Sequence, residues 1–212
     1  MRGDVILVEE HHTRAAEKIV ESILPAIEAK IQRYTITVAG ESGSGKSETA
    51  QAIAETLEKR GIRCVIYQQD DYFVLPPKSN DAKRRQDISW VGTQEVKLDL
   101  LDNHLQTAIL GQDNVHKPLV IYDDDKVVEE ELSLEGVQVV IAEGTYTTLL
   151  EHVDTRVFIA RNRLETMEAR KRRAREAMEP FIERVLEIEH EIISKHREHA
   201  QIVITRDYDV EL

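Results

Sequence analysis

The stretch that most constrains this chain runs from Tyr34 to Ser47, YTITVAGESGSGKS, an apolar segment that turns through glycines into a lysine and a hydroxyl. It reads as a strand, a loop and the start of a helix. Gly40 to Ser47 satisfies G-x-x-x-x-G-K-[ST], a spacing in which Gly40, Gly43 and Gly45 let bare backbone N–H groups close around phosphate oxygens. Ser42 and Ser44 fall between the glycines of that cradle. Lys46 is placed to reach the outer phosphates, Ser47 to put its hydroxyl on Mg²⁺, and Glu48 follows in the first helical turn. Ser47 to Lys59 carries Ala50, Ile53, Ala54 and Leu57 at helical spacing and stops before Gly61. Its positive end points at the anion. A chance glycine-rich turn would lack the strand before the loop and the helix after it.

Composition bounds the rest. At 212 residues one α/β domain is expected, with 1–33 as a helical extension and 34–212 as the domain proper. With 28 basic against 40 acidic residues the net charge is -12, which disfavours nucleic acid and anionic membranes as partners but leaves room for a small chelated anion. The single cysteine, Cys64, rules out an internal disulfide and fits a reducing compartment. No apolar run approaches the roughly 20 residues of a membrane span, and no export signal is evident, so a cytoplasmic protein is expected.

Before the loop, Ala16, Ile19, Val20, Ile23, Leu24, Ile27 and Ile31 share one helical face, with Pro25 as a kink. This helix is expected to pack on the core or on a second subunit, and a homo-oligomer is left open. His11 and His12 have no partner at metal-ligand spacing and read as solvated or capping histidines. Beyond Gly61, a β-favouring run to Gln68 ends in QDDYF. Acidic residues at the carboxyl end of an interior strand sit where open parallel sheets bind ligands, so Asp70 and Asp71 are candidates to accept a hydroxyl proton or to hold Mg²⁺ through water. The breaker-rich, charged stretch 75–87 reads as a mobile loop over the site. Trp90, beside Val91 and Gly92, reads equally as a stacking wall for a planar substrate or as a buried aromatic.

Val96 to Leu110 resumes helical spacing. Pro118 to Leu132 reads as a hairpin whose turn, Asp123-Asp124-Asp125, is better explained by solvation than by a cation. Val137 to Ala142 is almost wholly apolar, as in a strand buried on both faces, and ends at Glu143-Gly144, where the acid can orient a magnesium-bound water beside Ser47. A further apolar strand spans 155–160. Arg161 to Arg175 is strongly basic and reads as a lid over nucleotide phosphates or as a solvated helix face. Met178 to Ala200 is amphipathic with Pro180 at its first turn, and its histidines His190, His196 and His199 read as surface residues. A last strand spans 201–205, and Arg206 to Asp209 leave its carboxyl end within reach of a nucleotide base.

With these parts in this order, residues 34–209 resemble the uridine kinase and phosphoribulokinase group of P-loop kinases. The resemblance implies an α/β P-loop NTPase fold: three layers, a mostly parallel five-stranded sheet, a kinase-type lid and here an extra N-terminal helix. It implies ATP and Mg²⁺ as cofactors, with Lys46, Asp70, Glu143, Arg170 and Arg173 catalytic and Arg175 on the nucleotide. Asp70 matches the base for a sugar hydroxyl, with Tyr72 and Phe73 in place of an aromatic pair. Tyr122-Asp123 resembles a hairpin motif near the acceptor, and Ala142-Glu143-Gly144 a magnesium-side strand end. Ser47, Asp70 and Glu143 form the implied metal set, and Asp70, Tyr72, Trp90 and Tyr122 the implied acceptor set. Trp90 to Thr93 departs from the family's Asp-His-Pro, so a nucleoside is only the first guess for the small-molecule acceptor. The alternatives are a sugar phosphate, engaged by Lys78, Arg84 and Arg85, or another metabolite. A regulatory ATPase is disfavoured because the Asn-Lys-x-Asp and Leu-Ser-Gly-Gly-Gln signatures are missing.

Overall fold

The computed structural model describes residues 1, 5–167 and 179–212. Its main sheet has six strands in the order β2-β5-β1-β6-β7-β8, with β1 Tyr34–Gly40, β2 Cys64–Gln68, β5 Val139–Gly144, β6 Thr155–Ile159, β7 Ile202–Ile204 and β8 Val210–Glu211. Five strands are parallel, and the two-residue β8 adds an antiparallel edge. β1 and β5 are buried at every position, which is why both are apolar throughout rather than alternating. The chain leaves β1 and returns on both sides of it, through β5 and β2 on one flank and β6 and β7 on the other. The crevice at such a reversal is where ligands lie in open parallel sheets.

Alternate residues of the central strands feed two cores. Ile36, Val38, Val139, Ile141, Val157 and Ile159 pack beneath helices α1 Glu10–Ala29 and α2 Lys46–Glu58. Ala39, Val140, Ala142 and Phe158 pack on the opposite face with α4 Leu98–Ile109 and the tyrosines Tyr67, Tyr72 and Tyr146. The segment before the phosphate loop shares the first core: Ala15, Ala16, Ile19, Val20, Ile23 and Ile27 of α1 are all buried in it. Ile31, expected on the same face, lies past the helix end and is exposed.

Two expectations are corrected. Residues 75–87 are not a loop: Pro77–Gln86 forms helix α3, followed by short 3₁₀ turns at Ile88–Trp90 and Thr93–Glu95. A run so polar has no apolar period to reveal it, and its helix is secured from elsewhere. The turn of the hairpin formed by β3 Asn114–Ile121 and β4 Lys126–Ser133 supplies Asp125, whose carboxylate accepts from the Lys78 and Ser79 amides at 2.7 and 3.2 Å and from Ser79 Oγ at 2.7 Å. One residue of the triple aspartate therefore caps a helix whose amides lie 46 and 47 positions earlier in the chain. The second correction is His196, which is buried rather than on the surface. Helix α5, Pro180–Ile193, begins at the predicted proline.

Candidate active site

The phosphate loop joins β1 to α2 through Gly40 at φ 155°, Gly43 at 75° and Gly45 at 97°, backbone settings that side chains resist. A Cβ on Gly40 would stand 2.8 Å from Ser44 Oγ and 3.0 Å from the Ile159 carbonyl, so the turn closes only with glycine. Ser44 Oγ is buried without a hydrogen-bond partner among the described residues, as a group waiting on an anion would be. Lys46 Nζ donates to the Glu41 carbonyl at 3.0 Å, which folds the cation over its own loop.

Opposite the loop, two strand ends are tied together by a residue that sequence reasoning passed over. Gln69 follows β2, and its side chain lies against Gly144 at the end of β5, where a Cβ would come within 2.2 Å of Gln69 Cβ. Its Oε1 accepts from the Tyr146 amide at 2.7 Å. Gly144 is thus needed for a side chain crossing over it. Asp70 follows Gln69 at the end of β2, which pairs with β5, near enough for its charge to bear on the Glu143 carboxyl. Ser47 Oγ donates to Glu143 Oε1 at 3.1 Å. Burial, then the charge of Asp70, push the Glu143 carboxyl up to about 7, against the opposite pull of Lys46 and the Ser47 hydroxyl. Two carboxylates and a hydroxyl are hard oxygen donors, which suits Mg²⁺ completed by phosphate and water rather than a cage made wholly of protein. No group of three or more His, Cys, Asp or Glu side chains at metal spacing occurs among the described residues.

The neighbouring aspartates have separate roles. Asp70 is exposed, whereas Asp71 is buried and takes Lys117 Nζ at 3.0 Å and the Val120 amide at 2.9 Å, anchoring the hairpin. Tyr72 is corrected: it is fully buried, its hydroxyl 2.9 Å from His104 Nδ1, and it belongs to the core rather than to an acceptor contact. Tyr122 stays half-buried at the end of β3. Trp90 is half-buried and fixed edgewise, Nε1 donating to Asn80 Oδ1 at 2.9 Å, with Lys83 Nζ 5.9 Å from its ring centre.

Behind Trp90 lies a polar network that no spacing announced. Glu95 is fully buried and accepts from Asn80 Nδ2 at 2.6 Å, from the Gly92 amide at 2.8 Å and from Arg84, whose other partner is Glu189 at 3.2 Å. Arg85 is held between Asp81 and Glu179, and Lys78 Nζ donates to the Asp123 carbonyl. The cations expected to meet an acceptor phosphate are therefore already spoken for. Next to Glu189 on α5, His190 Nδ1 lies 2.6 Å from Glu41 Oε1 of the phosphate loop, while the buried Glu41 Oε2 has no partner among the described residues. Arg170, Arg173 and Arg175, assigned to the lid, fall outside the described residues.

A glycine cradle at the reversal point of a parallel sheet, with a hydroxyl and two carboxylates facing it, defines a P-loop phosphotransferase type of fold and site. Comparison makes the class specific. Residues 35–164 match the model of the Phosphoribulokinase / Uridine kinase family. The chain is 31% identical over 192 residues to the bifunctional alpha-galactosidase/sucrose kinase AgaSK of Mediterraneibacter gnavus, a match covering 84% of this chain and 20% of that protein. The chain thus spans about a fifth of that relative's length. It is 21% identical to the uridine kinase of Leuconostoc citreum, over 82% of this chain and 88% of that one. Among solved structures, the D-glycerate 3-kinase of Cryptococcus neoformans superposes with a TM-score of 0.63 at 13% identity, covering 94% and 98% of the two chains. The chain belongs to the Phosphoribulokinase / Uridine kinase family.

Proposed function

We propose that this protein is an ATP- and Mg²⁺-dependent kinase that moves the γ-phosphoryl group to a hydroxyl of a neutral, polyhydroxylated small molecule. The observation that carries the reading is the division between the two aspartates. Asp71 is consumed in anchoring the hairpin, which leaves Asp70 exposed beside Glu143 and Ser47, at the phosphate end of the site. The loop amides and Lys46 hold the phosphates. Asp70 accepts the proton as the acceptor oxygen bonds to the γ-phosphorus, and the bond to the bridging oxygen breaks to release ADP. Ser47 and Glu143 are the residues that would hold Mg²⁺, which when bound offsets phosphate charge.

Sugar-type acceptors fit this wall better than phosphorylated ones. Arg84 and Arg85 are neutralised by carboxylates, while the half-buried Trp90 and the Glu41 oxygen left without a partner among the described residues offer an apolar surface and a hydrogen-bond acceptor to a sugar. The sucrose kinase relative supports the same preference. A nucleoside is the second reading, supported by the uridine kinase relative and by Tyr122 beside the hairpin turn. ADP release measured against sucrose, monosaccharides, glycerate and nucleosides separates the two readings. Asp70→Asn should lower kcat by about 10²–10⁴-fold, the usual contribution of a general base, with ATP affinity kept. Parallel loss of ATP binding would remove Asp70 from the proton-transfer role.

A further inference from the structure

The sheet order fixes which way a bound triphosphate runs. Asp70 just after β2 and Glu143 near the end of β5 lie on one side of β1, so the γ end of a nucleotide held in the loop faces them. Its nucleoside must then emerge on the other side, over β6 and β7. That side is occupied by Arg161 after β6, by Tyr208 in the turn between β7 and β8, and by the first turn of α1.

These groups press on the phosphate loop at one residue. A Cβ on Gly45 would stand 2.0 Å from Tyr208 Oη and 3.0 Å from His12 Nε2. Tyr208, held at the uncommon φ of 64°, donates its hydroxyl to the Ser44 carbonyl at 2.6 Å and is almost fully buried. It therefore braces the loop and does not present its face to a base. His12 is also buried, and its Nδ1 accepts from the Glu9 amide at 3.0 Å. Burial, with His11 alongside, brings its pKa down to about 4, so the ring is neutral and its one proton sits on Nε2, the nitrogen beside Gly45. His11 completes the group. Its ring centre lies 4.0 Å from that of His12 and 4.3 Å from that of Tyr208, and about a third of its side chain is open to solvent. The Arg161 guanidinium stands 5.4 Å from the Tyr208 ring centre on the same cluster.

We infer that the N-terminal helix is part of the nucleotide site: His11 and Arg161 form the stacking platform for the nucleobase, and His12 with Tyr208 positions Gly45 of the phosphate loop. The inference rests on the reading of the loop as a nucleoside triphosphate site, and it gives the helix before that loop a task besides filling the core. A stacked base and a guanidinium are the sequence-tolerant way to hold a purine or pyrimidine ring.

Calorimetric titration with ATP and, separately, with inorganic tripolyphosphate tests it. His11→Ala should weaken ATP by about tenfold, the usual loss for a stacking side chain, and leave tripolyphosphate unchanged. His11→Phe should restore ATP affinity. His12→Ala should weaken both ligands alike, because it acts through the loop. No loss in His11→Ala, or an equal loss of both ligands in that variant, would overturn the platform, and unchanged affinities in His12→Ala would overturn the brace. Failure of the unaltered protein to bind either ligand would instead sink the kinase reading itself.

Discussion

Glu143 is held between opposing influences, and the balance has a sign that can be measured. A carboxyl whose folded pKa rises from its ordinary 4.5 to about 7 keeps its proton longer in the folded chain than in the unfolded one. Its contribution therefore favours folding below pH 4.5 and is lost progressively as pH rises through about 7. Glu143→Gln cannot ionise, yet keeps an oxygen to accept from Ser47 Oγ. Thermal melting of the ligand-free variant should exceed that of the natural protein at pH 8, with the gap closing towards pH 5. A gap independent of pH would mean that the carboxyl is ionised throughout. Residue chemistry of this kind was only half legible beforehand. The motif and strand-end position pointed to Ser47 and Glu143, and the family resemblance singled out Asp70, but no spacing or periodicity set it apart from Asp71, because the difference is made by Lys117 and Val120, some 46 to 49 positions away. Tyr72 misled for the same reason: its burial is decided by His104 of α4.

Among the elements, α3 depends most on a distant partner. Asp125 satisfies amides in its first turn that so polar a helix has little apolar packing to protect. Asp125→Ala should cost about 1 kcal/mol, the usual worth of a helix cap, lowering the melting temperature by about 2–4 °C. Because α3 carries Asn80, which holds Trp90 in place, the same variant should raise KM for the acceptor while leaving ATP affinity alone. A change confined to ATP affinity would place α3 on the nucleotide side. The central strands β1 and β5 were legible as elements because their apolar runs are dictated by burial on both faces. Helix α3 was not, since its cap and its Glu95 and Glu189 partners come from other parts of the chain. The contact between α1 and the loop was equally hidden: His11 and His12 read as solvated or capping groups, and His12 does cap, but its second nitrogen faces Gly45 only in the folded molecule.

For the molecule as a whole, the site joins segments from both flanks of β1, so filling it should stabilise the entire fold rather than one part. ATP with Mg²⁺ at about a hundred times its dissociation constant should add about 2.7 kcal/mol, or about 5–10 °C in melting temperature. A shift seen with Mg²⁺ alone and not increased by ATP would contradict the loop's role. The pairing of Asp125 with α3 bears on what can enter. Hairpin tip and helix are hitched, and Asp71 pins the same hairpin to the end of β2. If the acceptor of the proposed reaction lies beneath that pair, one with a bulky second ring has to displace both together, and the length of sugar chain tolerated becomes a property of the hitch.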